Sequence, residues 1–487
     1  MIVYGPDPPM KSFDLVVIGT GSAMDIVDAL LQKNPNINIA VIDRDEPGGI
    51  CLTRGCIPSK ILLYPAELVR TIEKAKELGV EVDIKAKNFS GIMGRMRGLI
   101  HRDIEDIRNG LTQTRNISYY PTTAEFTAPY TLKAGSDVIT GRTILLCTGS
   151  KPFIPPVKGL EETGYLTSDT ILNINDLPES MAIIGGGYIA AEYGHFLASM
   201  GSKVTILGRN TQFLPNEEPE VSALAKRDLQ KNMQILTNHE VHEVESVRAG
   251  EKRLIATNRA NGERVEVKVG EIMVAAGRAS NADVLRPEYA GIKTDKEGWI
   301  VVDDYLQTSQ PNVWALGDAD GRYQFKHKAN YEALVVYYNA FLNRRMKVDL
   351  HAVPHAVFTY PEIASVGLRE REAVERYGGD KVLIGIHRYQ DTAKGEAMAV
   401  KDYFVKAILE KGTNRILGAH IIGPHASILI QEVVDLMNTP EQSATPLIYG
   451  MHIHPALSEV VQKAFSAPMV PEQYHHLILD HYHLPTQ

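Results

Sequence analysis

The stretch Phe13-Asp-Leu-Val-Val-Ile18-Gly19-Thr-Gly21-Ser-Ala-Met24, followed by Ile39-Ala-Val-Ile42-Asp43, decides the architecture of this chain. The first apolar run predicts a short buried strand, and the glycines that follow break it. A helix-compatible segment reaches about Lys33, and a second apolar run stops at an acid. Strand, Gly-rich turn, helix and strand form a βαβ unit of the doubly wound α/β kind. Backbone N–H groups in such a turn can approach a pyrophosphate, and the helix N-terminus adds a favourable dipole. Gly19 and Gly21 are therefore candidate dinucleotide contacts, with Asp43 placed to accept from ribose hydroxyls. Met24 stands where a small residue normally permits close helix–strand packing, so a slightly displaced helix is expected there.

The pattern recurs downstream. Met181-Ala-Ile-Ile184, Gly185-Gly-Gly187-Tyr188-Ile-Ala190, a helix to about Met200 and Lys203-Val-Thr-Ile-Leu207 predict a second βαβ unit. Two such units suggest two dinucleotides on one chain. The second unit lacks the acid: its strand ends in Gly208-Arg209-Asn210. Losing a carboxylate and gaining a guanidinium suits a 2′-phosphate, so NADPH is favoured over NADH, with a solvated loop arginine as the alternative. Between the units, Thr143–Cys147 predicts another buried strand running into Thr148-Gly149-Ser150, and Pro152, Pro155 and Pro156 mark a crossing linker. A strand-like run before Ala276-Gly277-Arg278 closes the second unit, and Asn312–Leu316 followed by Gly317-Asp318 reads as a return to the first. From about His351, strand runs and helices predict an α+β C-terminal domain, and the last twenty residues look like an appended tail.

The chemistry concentrates in Gly48-Gly49-Ile-Cys51-Leu-Thr-Arg-Gly-Cys56-Ile-Pro-Ser-Lys60. The remaining cysteine, Cys147, lies in an apolar strand and reads as packed core, so a four-cysteine zinc site is impossible. A secreted disulfide scaffold does not fit three cysteines, and a reversible redox pair fits a reducing compartment better. Near the other end stands His452-Ile-His454-Pro455-Ala-Leu-Ser-Glu459. Pro455 is expected to open a helix, with Glu459 in its first turns orienting the His454 imidazole and raising its basicity. Thiol–disulfide exchange needs such a base, because the thiolate is the nucleophile and the leaving sulfur needs a proton.

Composition agrees with a folded enzyme. The 487 residues are 44% hydrophobic and 23% charged, with a net charge of −8, against a nucleic-acid binder. No signal-like segment opens the chain and no apolar run approaches a bilayer's thickness, so a cytoplasmic protein is expected.

Together these parts resemble the class I pyridine nucleotide–disulfide oxidoreductases, which include mycothione reductase, glutathione reductase, dihydrolipoamide dehydrogenase and mercuric reductase. The resemblance runs from about Phe13 to Phe465. It implies an α/β fold with two Rossmann-like domains, for FAD and NAD(P), plus a C-terminal α+β dimerisation domain. The implied boundaries are 1–155 for the first part of the FAD domain, 156–284 for the NAD(P) domain and 285–350 for the return. The dimerisation domain then takes 351–466 and the tail 467–487. By the same resemblance Cys51 is the interchange thiol and Cys56 the thiol against the flavin. Lys60 lies near flavin N5 with Glu192 as its ion-pair partner, Tyr188 gates the nicotinamide pocket, and Asp318 binds the ribityl chain. Gly49, Thr148, Gly149, Gly277 and Gly317 complete the implied cofactor contacts, and His454, held by Glu459, reaches the disulfide of a second subunit.

Within the family the C-terminus lacks the vicinal cysteines of mercuric reductase, and Gly208 replaces the NAD-type acid of dihydrolipoamide dehydrogenase. Shared features with mycothione reductase-like enzymes include Gly19-Thr-Gly-Ser22, Thr167-Ser-Asp-Thr170 and His454-Pro-Ala-Leu457, although a second arginine that often supports the 2′-phosphate is Pro215 here. The favoured expectation is an NADPH-driven reductase of a small thiol disulfide, with dihydrolipoamide dehydrogenase as the alternative. A non-catalytic flavoprotein scaffold is the remoter one, disfavoured because both cysteines, Lys60, His454 and Glu459 are all present. No metal is expected, and the tail residues His475, His476, Asp480, His481 and His483 read as solvated or dimer-packing.

Overall fold

A computed structural model of the chain describes residues 10–248 and 250–480. It divides into two units: the first holds the chain to Ser59, Gly94–Phe153 and Gly277–Asp349, the second Lys60–Met93, Ile154–Ala276 and the chain from Leu350.

Among the described residues, the first unit is built on a seven-stranded sheet. Strands Ile117–Tyr120, Ile39–Ile42, Lys11–Ile18 and Asp137–Leu146 lie parallel in that order. Leu15, Val16 and Val17 are fully buried, as a parallel strand covered on both faces requires. The long strand Asp137–Leu146 serves two partners. Its first half pairs antiparallel with Thr131–Ala134, while its second half pairs parallel with Val313–Ala315, the strand that brings the late segment back. Helices Met24–Lys33 and Lys326–Phe341 pack on the same side, over a core of Leu15, Val17, Ile26, Val27, Ala333 and Val336. Ala23, fully buried, supplies the close-packed small residue at the helix entrance while Met24 begins the helix, partly buried against this core.

The second unit carries a parallel sheet in the order Gln234–Thr237, Lys203–Gly208, Ser180–Ile184, Glu271–Val274 and Leu166–Thr167. Beside it stands an antiparallel ladder of His239–Arg248, Glu251–Asn258 and Arg264–Val269. An antiparallel sheet of His355–Val357, Ile363–Gly367, Ile416–Ile422, Phe404–Glu410 and Val382–Arg388 follows. Its buried face, with Val405, Ala407 and Leu409, packs on Val433, Val461 and Phe465 from the C-terminal helices.

Three features bear on the implied boundaries. The first unit takes up the chain again at Gly277, where Arg278–Ser280 pairs with Ser150–Pro152. Residues Lys60–Met93, assigned by sequence to the first domain, group with the second unit. Residues 467–480 are not an appended tail: Met469 bridges to Ile384, and helix Pro471–Asp480 buries Tyr474 and Ile478. His481 and His483 lie outside the described residues.

Candidate active site

In the first unit the expected flavin contacts gather at the C-terminal ends of the parallel strands, where doubly wound sheets bind their ligands. Gly19 has φ +104°, and a Cβ there would overlap the carbonyl of Cys147. A side chain is excluded at that point because the ends of two neighbouring parallel strands lie side by side there. A Cβ at Gly21, by contrast, would meet nothing, which leaves the outside of the turn open to a ligand. Asp43 accepts from the Thr20 N–H (2.8 Å), the Thr20 hydroxyl (2.6 Å) and the Asp45 N–H (3.0 Å). Burial nonetheless keeps its carboxyl above the usual range, against those bonds. Gly49 opens the short helix Gly49–Thr53, which carries Cys51, and Ile50 of that helix packs against Gly149.

Two buried polar atoms here, Thr148 Oγ1 and Asn281 Oδ1, have no hydrogen-bond partner among the described residues. Asn281 Nδ2 donates to the Thr148 carbonyl at 3.0 Å, so the two residues form one polar spot. Orphaned buried polar atoms are rare and await a ligand or water. Asp318, partly buried, accepts from the Ser150 hydroxyl at 2.5 Å, while Arg278 donates to the same hydroxyl at 2.9 Å. An open glycine turn, a ribose-type acid and unfilled polar atoms together fit FAD.

The Gly317-Asp318 turn is braced by residues that sequence reasoning missed. Fully buried Lys328 lies 2.6 Å from Asp320 and 2.8 Å from Glu332, and Glu332 accepts the Gly317 N–H at 2.8 Å. Burial and then the Asp320 charge push the Glu332 carboxyl up to about 8. Lys326 was missed as well. It opens helix Lys326–Phe341 and donates to Ser22 of the glycine turn at 2.9 Å. A basic residue at a helix start just after Gly317-Asp318 was the available signal.

Cys51 and Cys56 are both free thiols, the first partly buried and the second exposed, with Cys51 Sγ donating to Cys56 Sγ at 2.7 Å. The thiol of Cys51 is pushed far up, first by that hydrogen bond and then by burial, with Lys326 pulling the other way. Cys51 therefore needs a base before it can attack as a thiolate. Cys147 is held up by burial and packs against the first-unit core.

In the second unit Gly185 repeats the Gly19 geometry, its absent Cβ facing the Ala275 carbonyl, while a Cβ at Gly187 would meet nothing. Tyr188 begins helix Tyr188–Met200, and one turn later Glu192 is buried. Lys60 Nζ donates to both Glu192 oxygens, at 3.0 and 2.8 Å, and lies 4.7 Å from the Phe358 ring centre. The Phe358 N–H donates to Glu192 Oε1 at 3.0 Å, so the carboxylate is fixed from two sides. Arg209 is exposed at the strand end, and its guanidinium has no partner among the described residues. Gly277 has φ +131° at the crossing between the units, where its carbonyl accepts the Phe153 N–H at 2.9 Å. An open turn at a helix start with an unpaired cation at the second strand end fits a pyridine dinucleotide.

His454 Nδ1 lies 2.9 Å from Glu459 Oε1, and Glu459 Oε2 accepts the Ala456 N–H at 3.1 Å. The bond to His454, then that to Ala456, holds the Glu459 carboxyl below its usual range. A carboxylate on Nδ1 fixes the tautomer that leaves Nε2 free to accept a proton. The imidazole is 71% exposed, an unusual setting for so well anchored a side chain. The helix here begins at Ser458 and not at Pro455. The Glu459 side chain caps the Ala456 N–H before the helix starts, so Pro455–Leu457 form a lead-in.

Residues 13–333 match the family model described as pyridine nucleotide-disulphide oxidoreductase, and residues 353–465 match its dimerisation domain. Mycothione reductase of Mycobacterium tuberculosis is 34% identical, over 93% of this chain and 99% of that one. Dihydrolipoyl dehydrogenase of Chlamydia trachomatis is 32% identical, over 92% and 95%. The solved structure of the HOCl-induced flavoprotein disulfide reductase RclA from Escherichia coli superposes with a TM-score of 0.81 at 27% identity, covering 93% of this chain and 99% of that one. No helix among the described residues is long and apolar enough to cross a membrane.

Proposed function

The chain belongs to the pyridine nucleotide-disulphide oxidoreductases, FAD-containing enzymes that use NAD(P)H, and within them we propose an NADPH-driven reductase of a small thiol disulfide. The observation that carries this reading is the end of strand Lys203–Gly208. A Cβ at position 208 would lie 3.3 Å from Gly186 Cα, so an acid there would press on the glycine turn, while Arg209 offers an unpaired guanidinium. One charge-assisted contact to a 2′-phosphate is worth about 1.5–3 kcal/mol, roughly ten- to a hundredfold in preference. The 34% identity to a mycothione reductase supports a low-molecular-weight disulfide as substrate.

What FAD and NADPH supply when bound is two electrons, which convert the Cys51–Cys56 disulfide to the dithiol. The remaining steps belong to side chains. In a homodimer, in the cytoplasm, His454 of one subunit takes the Cys51 proton of the other. Cys51 Sγ then attacks one sulfur of the substrate disulfide, forming a mixed disulfide and expelling one thiolate, which the imidazolium protonates. His454 then takes the Cys56 proton, Cys56 Sγ attacks Cys51 Sγ to re-form the intramolecular disulfide, and the second thiolate leaves and takes that proton from the imidazolium. Two electrons and two protons pass from dithiol to substrate. Glu459 keeps Nε2 as the working nitrogen, and Glu192 holds the Lys60 ammonium as its ion-pair partner.

The test is kcat/KM of the holoenzyme with NADPH and NADH, against a panel of small disulfides and against lipoamide. The expected result is NADPH favoured by about tenfold or more, with turnover on small disulfides. Preference for NADH together with NAD+-linked oxidation of dihydrolipoamide would overturn it. That outcome would establish dihydrolipoamide dehydrogenase, the second reading, which the 32% identity to a dihydrolipoyl dehydrogenase supports.

A further inference from the structure

One guanidinium is a sparse site for a phosphate that carries close to two charges near neutral pH. Position 215, where a second arginine would supplement Arg209, is proline, and the Pro215 carbonyl is taken by Arg369 Nη1 at 3.2 Å. The strand end finds its second cation elsewhere. Strand Glu251–Asn258 turns into Arg264–Val269 through a short hairpin, and that hairpin is tied to the Gly208–Asn210 loop by a chain of hydrogen bonds. The Asn238 N–H donates to the Asn210 carbonyl at 2.7 Å, and the Arg259 N–H donates to the Asn238 carbonyl at 2.8 Å. The Arg259 side chain then reaches over the loop, with Nη1 donating to the Arg209 carbonyl at 3.1 Å.

We propose that Arg259 is a second ligand of the NADPH 2′-phosphate, acting beside Arg209; the proposal rests on the NADPH reading above. Three observations support it. The Arg259 guanidinium donates to the Arg209 carbonyl, which holds it at the strand end where Arg209 is exposed. Its side chain is 51% exposed and its carboxylate contact, Glu240, is a loose 3.5 Å pair. An exposed pair of that kind is weak and exchanges readily for a phosphate dianion. Finally, a single bond to the Arg209 carbonyl leaves most of its five N–H donors available. The sequence offered no hint, because Arg259 lies fifty positions from Arg209 and in a hairpin outside the βαβ unit.

The test is calorimetric binding of adenosine 2′,5′-bisphosphate and of 5′-AMP to the holoenzyme, wild type, Arg259→Gln, Arg259→Lys and Arg209→Gln. The expected result for Arg259→Gln is roughly tenfold weaker bisphosphate binding, equivalent to about 1.4 kcal/mol, with 5′-AMP unchanged and a shallower salt dependence. Arg259→Lys, which keeps the charge, should recover part of the loss. If Arg259 merely held the loop in place, both ligands would weaken together, and that overturns the proposal. If Arg209→Gln loses the bisphosphate preference but Arg259→Gln keeps it, the proposal fails and the NADPH reading stands. A wild type with no preference for the bisphosphate overturns both.

Discussion

Lys406→Met should destabilise the second unit by about 3–5 kcal/mol, the usual cost of removing one partner from a buried ion pair. Lys406 is 1% exposed, and its ammonium lies 2.6 Å from Glu220, 2.7 Å from Glu370 and 3.1 Å from Glu218. Burial pulls its pKa down, but Glu220, Tyr474, Glu218 and Glu370 together more than offset this, and the net shift is well upward. Burial likewise pushes the Glu220 carboxyl up, yet Lys406 and the Tyr474 hydroxyl bring it below the usual range. Three acids around one cation can bind a metal only if the lysine leaves, and here it fills the centre. Methionine conserves volume, so the loss isolates the charge and not a cavity.

The sign with pH follows. The depressed Glu220 carboxyl contributes stability that is present above its ordinary value and lost as pH falls through its folded value. In Lys406→Met the Glu220 carboxyl keeps the burial that raises it and loses the cation that lowers it, so the deficit relative to wild type should be largest near pH 8 and shrink towards pH 5. The chain's two tryptophans, Trp299 and Trp314, both lie in the first unit and will not report this loss. Hydrogen exchange of strands Phe404–Glu410 and Ile416–Ile422 will. A variant within about 1 kcal/mol of wild type at pH 8 would refute the reasoning, and Glu220→Gln added to Lys406→Met should restore part of the loss.

Cys56→Ala removes the group that holds the Cys51 thiol up, so the pH at which reduced Cys51 alkylates with iodoacetamide should move downward; an unchanged profile would assign the shift to burial. His454→Gln should lower kcat/KM for the disulfide about 10²–10⁴-fold, the range of general acid–base catalysis, while reduction of Cys51–Cys56 by NADPH stays intact. Glu459→Gln should cost less, since the amide oxygen still accepts from Nδ1 while the negative charge is lost, and equal losses in both reactions would count against the assigned base. His195 is buried as a neutral imidazole, its pKa lowered to about 3 by burial and then by Arg70. Because the unfolded chain takes up that proton below its ordinary value of 6.5, stability should fall with acid, by about 1.4 kcal/mol per pH unit at most. His195→Gln should flatten the slope in urea unfolding between pH 6.5 and 4.5.

What the sequence determined by itself is whatever chemistry is written locally. Strand–glycine–helix runs at Ile18-Gly19 and Ile184-Gly185 place two open turns, because the required conformations depend on a few consecutive residues. Cys51 with Cys56, and His454 with Glu459, are likewise close in the chain, and each pair meets in the structure at 2.7 and 2.9 Å. Glu192 was reachable only through the family resemblance, since nothing near Lys60 points to a partner 132 positions away. Even locally the reading slipped at Pro455: the helix begins at Ser458, and the Glu459 side chain accepts the Ala456 N–H ahead of it. The tertiary structure alone decided the Lys406 cluster, the Lys328 brace under Gly317 and the approach of Arg259 to Arg209. Each joins residues from separate elements, and their distance is set by how sheets and helices pack. A buried lysine reads as a surface residue until the fold brings carboxylates around it.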